Sequence, residues 1–248
     1  SSLCFASAHV ETVPFPEALD MVLASRKGKR VAYLQQQNDC FRSEYGPLAA
    51  DCEDHVPWAT EALGCSPEAV NLWVGTDASE TSFHKDHYEN LYVVIAGEKR
   101  FLLLPPTEVH RMYITDYPAA RYLYHKGSGQ FSIEVDGSVT VPWSSVDPYP
   151  EPDEKQRAME RFPLYYNGPT PLQVTVKAGQ MLYLPSMWFH HVRQVQDGSG
   201  GLTVAVNYWY DMQFDSRYAY FNFLQSIPRH EIENKEANLE SSRCNGSD

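Results

Sequence analysis

Positive charge is scarce in this chain of 248 residues, in which 20 Lys and Arg stand against 32 Asp and Glu for a formal net charge of −12. Proteins bind nucleic acids largely through Lys and Arg contacts to phosphates, so this balance argues against direct nucleic-acid binding. The same surface attracts basic partners, such as a Lys/Arg-rich protein segment. Because a net charge also keeps ordinary proteins in solution, the charge alone leaves both interpretations open.

Long apolar runs and paired cysteine motifs are also missing. No apolar stretch approaches the roughly 18 residues that a membrane span needs, and no signal peptide is visible. The cysteines stand at wide spacings without a C-x-x-C motif, and they are Cys4, Cys40, Cys52, Cys65 and Cys244. An odd number at such spacings favours neither a disulfide framework nor a zinc ribbon, and it indicates a reducing intracellular compartment, cytoplasmic or nuclear. The first residue is not Met, so we expect a processed or trimmed N-terminus.

From residue 69 onward the sequence favours short strands. The segments are rich in β-branched and aromatic residues and are punctuated by Gly and Pro. They cover residues 69–75, 81–86, 90–95, 99–104, 173–177, 180–184, 188–195 and 202–210, and a further strand is predicted at 31–36. Many short strands separated by turns predict a sandwich or a barrel.

Helices are predicted around this β core, at residues 14–25, 57–63, 153–161 and 215–227. Residues 105–170 interrupt the strand pattern with Pro, Tyr and polar residues, and no separate apolar pattern there supports a second domain. We therefore predict one domain over residues 1–227 with an elaboration at 105–170, followed by a polar tail over 228–248. The aromatic face of the last helix could close the barrel or pair with a second subunit, so a homodimer is one alternative.

The segment TSFHKDH contains a candidate metal site. On a strand, residues i and i+2 point to the same side, so His84 and Asp86 face one cavity and Lys85 faces away. The segment MLYLPSMWFHHV, about a hundred residues further on, offers His190 and His191, and spacing does not decide between them. Each segment alone is a weak indication, but both lie on predicted core strands. Two imidazoles and one carboxylate leave three positions open on an octahedral ion, as in non-haem iron(II) oxygenases.

Three stretches resemble the JmjC family. TSFHKDHYENLYVVIAGEKRFLLLPP at 81–106 resembles its first iron-binding segment, AGQMLYLPSMWFHHV at 178–192 its second, and VAVNYWYDM at 204–212 the following strand. The resemblance covers about residues 31–226 and is closest to the small proteins that consist of a JmjC domain alone, including a plant branch. It implies a mainly β fold, a double-stranded β-helix of the cupin or jelly-roll type with flanking helices and a C-terminal helix. It also implies dependence on Fe(II), 2-oxoglutarate and O2.

The resemblance implies roles for individual residues as well. The three iron ligands correspond to His84, Asp86 and His190. The groups that hold the far carboxylate of 2-oxoglutarate correspond to Lys99, Thr81 and Tyr33. The amides and the aromatic wall beside the cosubstrate and the metal correspond to Asn90, Asn207 and Trp209.

Residue chemistry supports part of this set. A dianionic cosubstrate needs a cation at its far end, and Lys99 is a point charge on a long stem. The alternative is an exposed turn lysine, since AGEK is typical of a turn. Asn90 and Asn207 are poor strand formers in apolar surroundings, which indicates a polar cavity beside them. Trp209 could equally be a core aromatic residue.

The resemblance implies two reactions on lysine. One is hydroxylation of a lysine in a partner protein such as a translation-factor-type GTPase, and the other is demethylation of N-methyl-lysine in histones. Asp86 favours hydroxylation, because many JmjC demethylases carry Glu there. A metal-dependent peptidase or an inactive binding module is a more remote alternative. A peptidase needs a positioned base, and neither Glu89 nor Glu98 has the parity to face the metal.

Overall fold

The computed structural model describes residues 3–25, 30–37, 39–195 and 201–228. The strands of the described part are β1 (Phe5–Ser7), β2 (Ala69–Gly75), β3 (Glu80–His84), β4 (Tyr88–Ala96), β5 (Glu98–Leu104), β6 (Thr115–His125), β7 (Gln130–Trp143), β8 (Leu172–Lys177), β9 (Met181–Leu184), β10 (Phe189–Val195) and β11 (Thr203–Asp211). Its helices are α1 (Phe15–Leu23), α2 (Cys40–Ser43), α3 (Pro57–Leu63), α4 (Lys155–Arg161), α5 (Pro163–Asn167) and α6 (Ser216–Ser226), with 3-10 turns at Gly46–Asp51 and Pro106–Met112.

Two antiparallel four-stranded sheets form the centre of the fold, in the orders β3-β10-β5-β8 and β2-β11-β4-β9. Successive strands from β2 to β5, and again from β8 to β11, alternate between the two sheets. As a result β10 lies between β3 and β5, and β11 lies between β2 and β4. Their inner faces meet in a buried core that includes Trp73, Tyr92, Phe101, Val192 and Trp209. The predicted mainly β fold of the jelly-roll type is confirmed.

Helices and turns cover the outer faces of both sheets except at the edge strands β8 and β9, which are largely exposed. On the β2-β11-β4 face, Leu72 and Tyr208 pack against Phe41 of α2 and Ala59 of α3. On the β3-β10-β5 face, Phe83 and its neighbours pack against Phe221 of α6 and the segments between β5 and α5. Burial on both faces explains why β2 shows no alternation of apolar and polar residues, with Asn71 as its one polar side chain.

A long hairpin is the largest departure from the sequence prediction. Within residues 105–170, predicted as an irregular elaboration, lie the two longest strands, β6 and β7, which pair with β1 in a separate three-stranded sheet. The alternation of Phe131, Ile133 and Val135 is a strand period. It was overlooked because these side chains are exposed and Gly, Ser and charged residues surround them.

Several short elements were not predicted, namely β1, α2, α5 and the two 3-10 turns. The predicted strand at 31–36 is reduced to a single bridge between Leu34 and Val74. Helices α1, α3, α4 and α6 fall inside the predicted ranges. Most of the predicted tail, residues 229–248, lies outside the described residues, and the single-domain extent stays a prediction. Among the described helices, none has the length and apolar character of a bilayer span.

Candidate metal centre

Two neighbouring strands and the turn after one of them bring the three candidate ligands together. His84 ends β3 and is the direct cross-strand partner of His190 on β10, so the two imidazoles project to the same side. Asp86 follows two residues after His84. Its Oδ2 lies 3.6 Å from His190 Nε2 and 4.0 Å from His84 Nε2, and one ligand atom from each residue lies within 4.8 Å of the others.

Backbone carbonyls orient both imidazoles for metal binding. His84 Nδ1 lies 2.9 Å from the Ser82 carbonyl oxygen, and His190 Nδ1 lies 3.0 Å from that of Trp188. A carbonyl only accepts, so each Nδ1 donates its hydrogen and each Nε2 keeps a free lone pair on the ligand side. Burial, and then the neighbouring His84, lower the pKa of His190 and favour the neutral ring that a metal requires. Two such nitrogens and a carboxylate fit a divalent ion such as iron(II).

The adjacent histidine, which spacing alone did not exclude, faces the opposite side of the sheet. His191 Nε2 lies 2.9 Å from Glu80 Oε1, and the ring packs against Phe83 and Tyr149. The structure therefore places His190, and not His191, beside the other two candidate ligands.

A β-bulge brings Thr81 to the same face as His84. Strict alternation separates residues three apart in a strand. The register between β10 and β3 shifts, so that His84 pairs with His190 and Thr81 pairs with Val192. His190 and Val192 share one face of β10, and Val192 belongs to the inner core. The extra residue of a bulge has this effect on side-chain direction. Thr81 shares no hydrogen bond with Lys99 or Tyr33 among the described contacts, so the structure brings it to their face and not into contact with them.

A buried carboxylate holds the turn that precedes β10. Glu89 accepts hydrogen bonds from Tyr183 Oη at 2.7 Å, Ser186 Oγ at 2.8 Å and the Ser186 amide at 3.1 Å. The next amide, that of Met187, donates to the Asp86 carbonyl at 2.9 Å. Glu89, considered above only as a base, thus ties the Asp86 segment to the strand of His190.

Lys99 lies in the interior and not on an exposed turn. Its side chain is 1% exposed, its Nζ donates to Tyr33 Oη at 2.9 Å, and the rings of Tyr33 and Tyr92 each lie 5.4 Å away. Within the described part of the chain no carboxylate pairs with it. Burial lowers the pKa of this ammonium to about 7. The exposed-lysine alternative is therefore wrong.

The two predicted amides form a chain of hydrogen bonds inside the core. Asn207 Nδ2 donates to Asn90 Oδ1 at 3.1 Å, and Trp73 Nε1 donates to Asn207 Oδ1 at 2.7 Å. Trp209 lies opposite Asn90 in the strand register. Its ring stacks on Tyr88 with centroids 4.8 Å apart, and its buried Nε1 has no partner among the described residues.

Sequence reasoning missed two residues beside this site. Gln194 faces inward on β10, directly opposite Lys99, and its even spacing from His190 on one strand was the signal that could have found it. Trp143 ends β7, and its ring is nearly parallel to that of His84 with centroids 6.0 Å apart. It could not be found because the hairpin itself was not predicted.

Comparison with known proteins identifies a matching family model and several relatives of this chain. Residues 1–216 match the family model of the cupin-like domain. The chain is 67% identical to "Lysine-specific demethylase JMJ32" of Arabidopsis thaliana over 92% of its own length and 66% of that protein. It is 42% identical to "Bifunctional peptidase and (3S)-lysyl hydroxylase JMJD7" of Homo sapiens, over 88% of this chain and 65% of that protein. It is 34% identical to "JmjC domain-containing protein E" of Dictyostelium discoideum, over 86% and 62%. The chain thus spans 62% to 66% of the length of these relatives.

Proposed function

Because the chain belongs to the cupin-like JmjC family, we propose that it is an iron(II)- and 2-oxoglutarate-dependent oxygenase that oxidises lysine side chains in a partner protein. The observation that carries the proposal is the placing of His84, Asp86 and His190 at one end of an inner face whose other end holds Lys99. His190 and Lys99 lie on adjacent strands, with Leu103 opposite His190 and Gln194 opposite Lys99.

The chain's own residues divide the work of binding. His84, Asp86 and His190 would hold the iron, and Lys99 with Tyr33 would hold the far carboxylate of 2-oxoglutarate. When bound, the metal and the cosubstrate supply the oxidising power for the attack on an unactivated C–H bond.

The inner walls orient the cosubstrate and limit the access of water. Thr81 adds a hydroxyl on the face of the two histidines. Asn90 and Asn207 offer amides in a wall that is otherwise apolar, and Trp209 with Tyr88 forms an aromatic side. Polar groups buried in this way make stronger electrostatic contacts than they would in water.

Lysyl hydroxylation is the reaction that we favour, because the carboxylate ligand is Asp86. The second candidate is demethylation of N-methyl-lysine, and the name of the 67% identical relative supports it. Both reactions need the same site, but demethylation releases formaldehyde and hydroxylation leaves one additional oxygen on the peptide.

The acidic chain suits a basic, lysine-bearing substrate segment, either in a GTPase-type protein or in a histone. We place the reaction in the cytoplasm or the nucleus, because the cysteines favour a reducing compartment. Homodimer formation through α6 remains a proposal as well, since Tyr220 and Phe223 are exposed on that helix.

The first test is anaerobic reconstitution with iron(II), followed by measurement of succinate formed from 2-oxoglutarate. We expect turnover by the unaltered chain and none by His84→Ala. His125→Ala, an exposed hairpin histidine, is the matched control and should retain activity. Absence of iron binding by the unaltered chain would overturn the proposal. Mass spectrometry of lysine peptides and a formaldehyde assay then separate the two reactions.

A further inference from the structure

Gln194 is a buried amide next to Lys99, an interior ammonium that pairs with no carboxylate among the described residues. It lies on β10 directly opposite Lys99 of β5, on the inward face that it shares with Val192, and it is 5% exposed. Cross-strand partners on one face hold their Cβ atoms about 5 Å apart. Gln194 and Lys99 therefore border the same space.

Both side chains are incompletely satisfied by the protein. The described contacts of the Lys99 ammonium are the Tyr33 hydroxyl and two aromatic rings, and Gln194 Oε1 is buried without a hydrogen-bond partner among the described residues. Polar atoms buried without partners are costly and uncommon in folded proteins. An ammonium with one hydroxyl partner and an amide oxygen with none border the same space, and this indicates a polar ligand between them.

The backbone leaves room for this arrangement at Gly75. A Cβ atom at this position would lie 2.6 Å from Gln194 Nε2 and 2.8 Å from two ring atoms of Tyr33. Any side chain at Gly75 would therefore displace both residues, and the absence of one lets the amide and the phenol converge next to Lys99.

We propose that Gln194 donates a hydrogen bond to the far carboxylate of 2-oxoglutarate and acts with Lys99 and Tyr33 as a binding residue for the cosubstrate. The inference rests on the proposed function. Exchange of the amide oxygen and nitrogen leaves the shape of the side chain unchanged, so either orientation is compatible with the packing. With the nitrogen toward the ligand, a carboxylate accepts from the amide and the ammonium together.

The test is calorimetric titration of the manganese(II)-loaded protein with 2-oxoglutarate in the absence of oxygen, which needs no turnover. Gln194→Leu keeps the size of the side chain and removes the donor. Loss of one hydrogen bond to a charged group weakens binding by about tenfold or more. Gln173→Leu, the same change at an exposed position of β8, is the matched control and should bind like the unaltered chain.

A second ligand separates a binding contact from a general disturbance of the pocket. 2-Oxopentanoate has the same metal-binding end but no far carboxylate, so Gln194→Leu should leave its affinity unchanged. Gln194→Glu, which places a negative charge next to the carboxylate and can itself pair with Lys99, should weaken 2-oxoglutarate binding more than Gln194→Leu does.

Unchanged binding of 2-oxoglutarate by Gln194→Leu would overturn the inference and leave the proposed function standing. Equal losses for both ligands would also overturn it, because they would assign Gln194 a purely structural role. Failure of the unaltered, metal-loaded chain to bind 2-oxoglutarate would overturn the proposed function together with the inference.

Discussion

At the scale of single residues, Lys99 shows how a binding site departs from the rules of a stable core. A buried ammonium without a carboxylate partner is costly, and the cost appears as a pKa lowered to about 7 by burial. The same isolation leaves the charge available for a ligand. This supports the proposal that Lys99 is a binding group for the cosubstrate.

We expect the affinity for 2-oxoglutarate to fall as the pH rises above about 7. The free protein loses the Lys99 proton near that pH, whereas a bound carboxylate favours the charged form and raises the pKa. Above pH 7 binding therefore takes up a proton, and affinity falls up to tenfold per pH unit. Below pH 7 it should be flat.

Titrations in buffers of different ionisation enthalpy measure this proton uptake directly. The control is Lys99→Met, which should bind weakly at every pH and show no proton uptake. An affinity that stays constant between pH 7 and 9 in the unaltered chain would show that Lys99 keeps its proton in the free protein.

The sequence predicted the three candidate ligands, but with different physical support for each. Strand parity predicted that His84 and Asp86 share one side, but β3 ends at His84, and Asp86 reaches the same point from the turn that follows. Parity cannot choose between His190 and His191, since it does not say which face of β10 is inward. The resemblance to JmjC proteins made that choice, and the two carbonyl contacts of the imidazoles appear only in three dimensions.

At the scale of elements, the turn before β10 determines where the last ligand stands. Glu89 of β4 holds Ser186, and the Asp86 carbonyl holds the Met187 amide, so the turn is fixed to the segment that carries the other ligands. The positions of the candidate ligands thus depend on a carboxylate that is not one of them.

We expect Glu89→Ala to weaken iron(II) binding about tenfold or more, the usual loss when a group that orients metal ligands is removed. Glu89→Gln keeps the size and one acceptor, and it should recover part of the affinity. Anaerobic titration with cobalt(II), which replaces iron(II) and is followed by its ligand-field absorption, measures the metal affinity of both variants. Glu61→Ala on α3, an exposed glutamate, is the control. Equal cobalt affinity in Glu89→Ala and Glu61→Ala would contradict the expectation.

Elements were predictable where burial makes the hydrophobic pattern strong. Strands β2, β4, β5, β10 and β11 have long buried stretches, and each was anticipated within a few residues. The β6–β7 hairpin was not, because β7 exposes nearly all of its residues and offers little contrast between its two faces. The bulge in the β3–β10 register could not be predicted either, since it depends on the pairing and not on the strand's own sequence.

At the scale of the whole molecule, the candidate ligands belong to the strands that hold the centre together. Strand β10 pairs with β3 on one side and with β5 on the other. A ligand bound to His84, Asp86, His190 and Lys99 together would therefore link β3, the segment before β4, β5 and β10. A ligand that binds the folded chain alone stabilises it by mass action.

We expect manganese(II) to raise the midpoint of thermal unfolding, and 2-oxoglutarate to raise it further once the metal is present. At a hundredfold excess over the dissociation constant the rise should be about 5 °C or more for a chain of this size. Scanning calorimetry under nitrogen measures it. In His84→Ala the metal should give no rise, and 2-oxoglutarate added after it should give little. An equal rise in both proteins would place the metal elsewhere.

The position of β10 also determines when, during synthesis, the chain could bind the proposed metal. His84 and Asp86 leave the ribosome about a hundred residues before His190, and β10 must then insert between two strands made much earlier. Contacts so distant in sequence form slowly. A partial chain ending before β10 offers two of the three candidate ligands and three of the four strands of that sheet, with the central position between β3 and β5 unfilled. A complete ligand set therefore exists only when β10 is in place. We therefore expect capture of the proposed metal to be a late event, so that a nascent chain which binds it tightly has already placed β10.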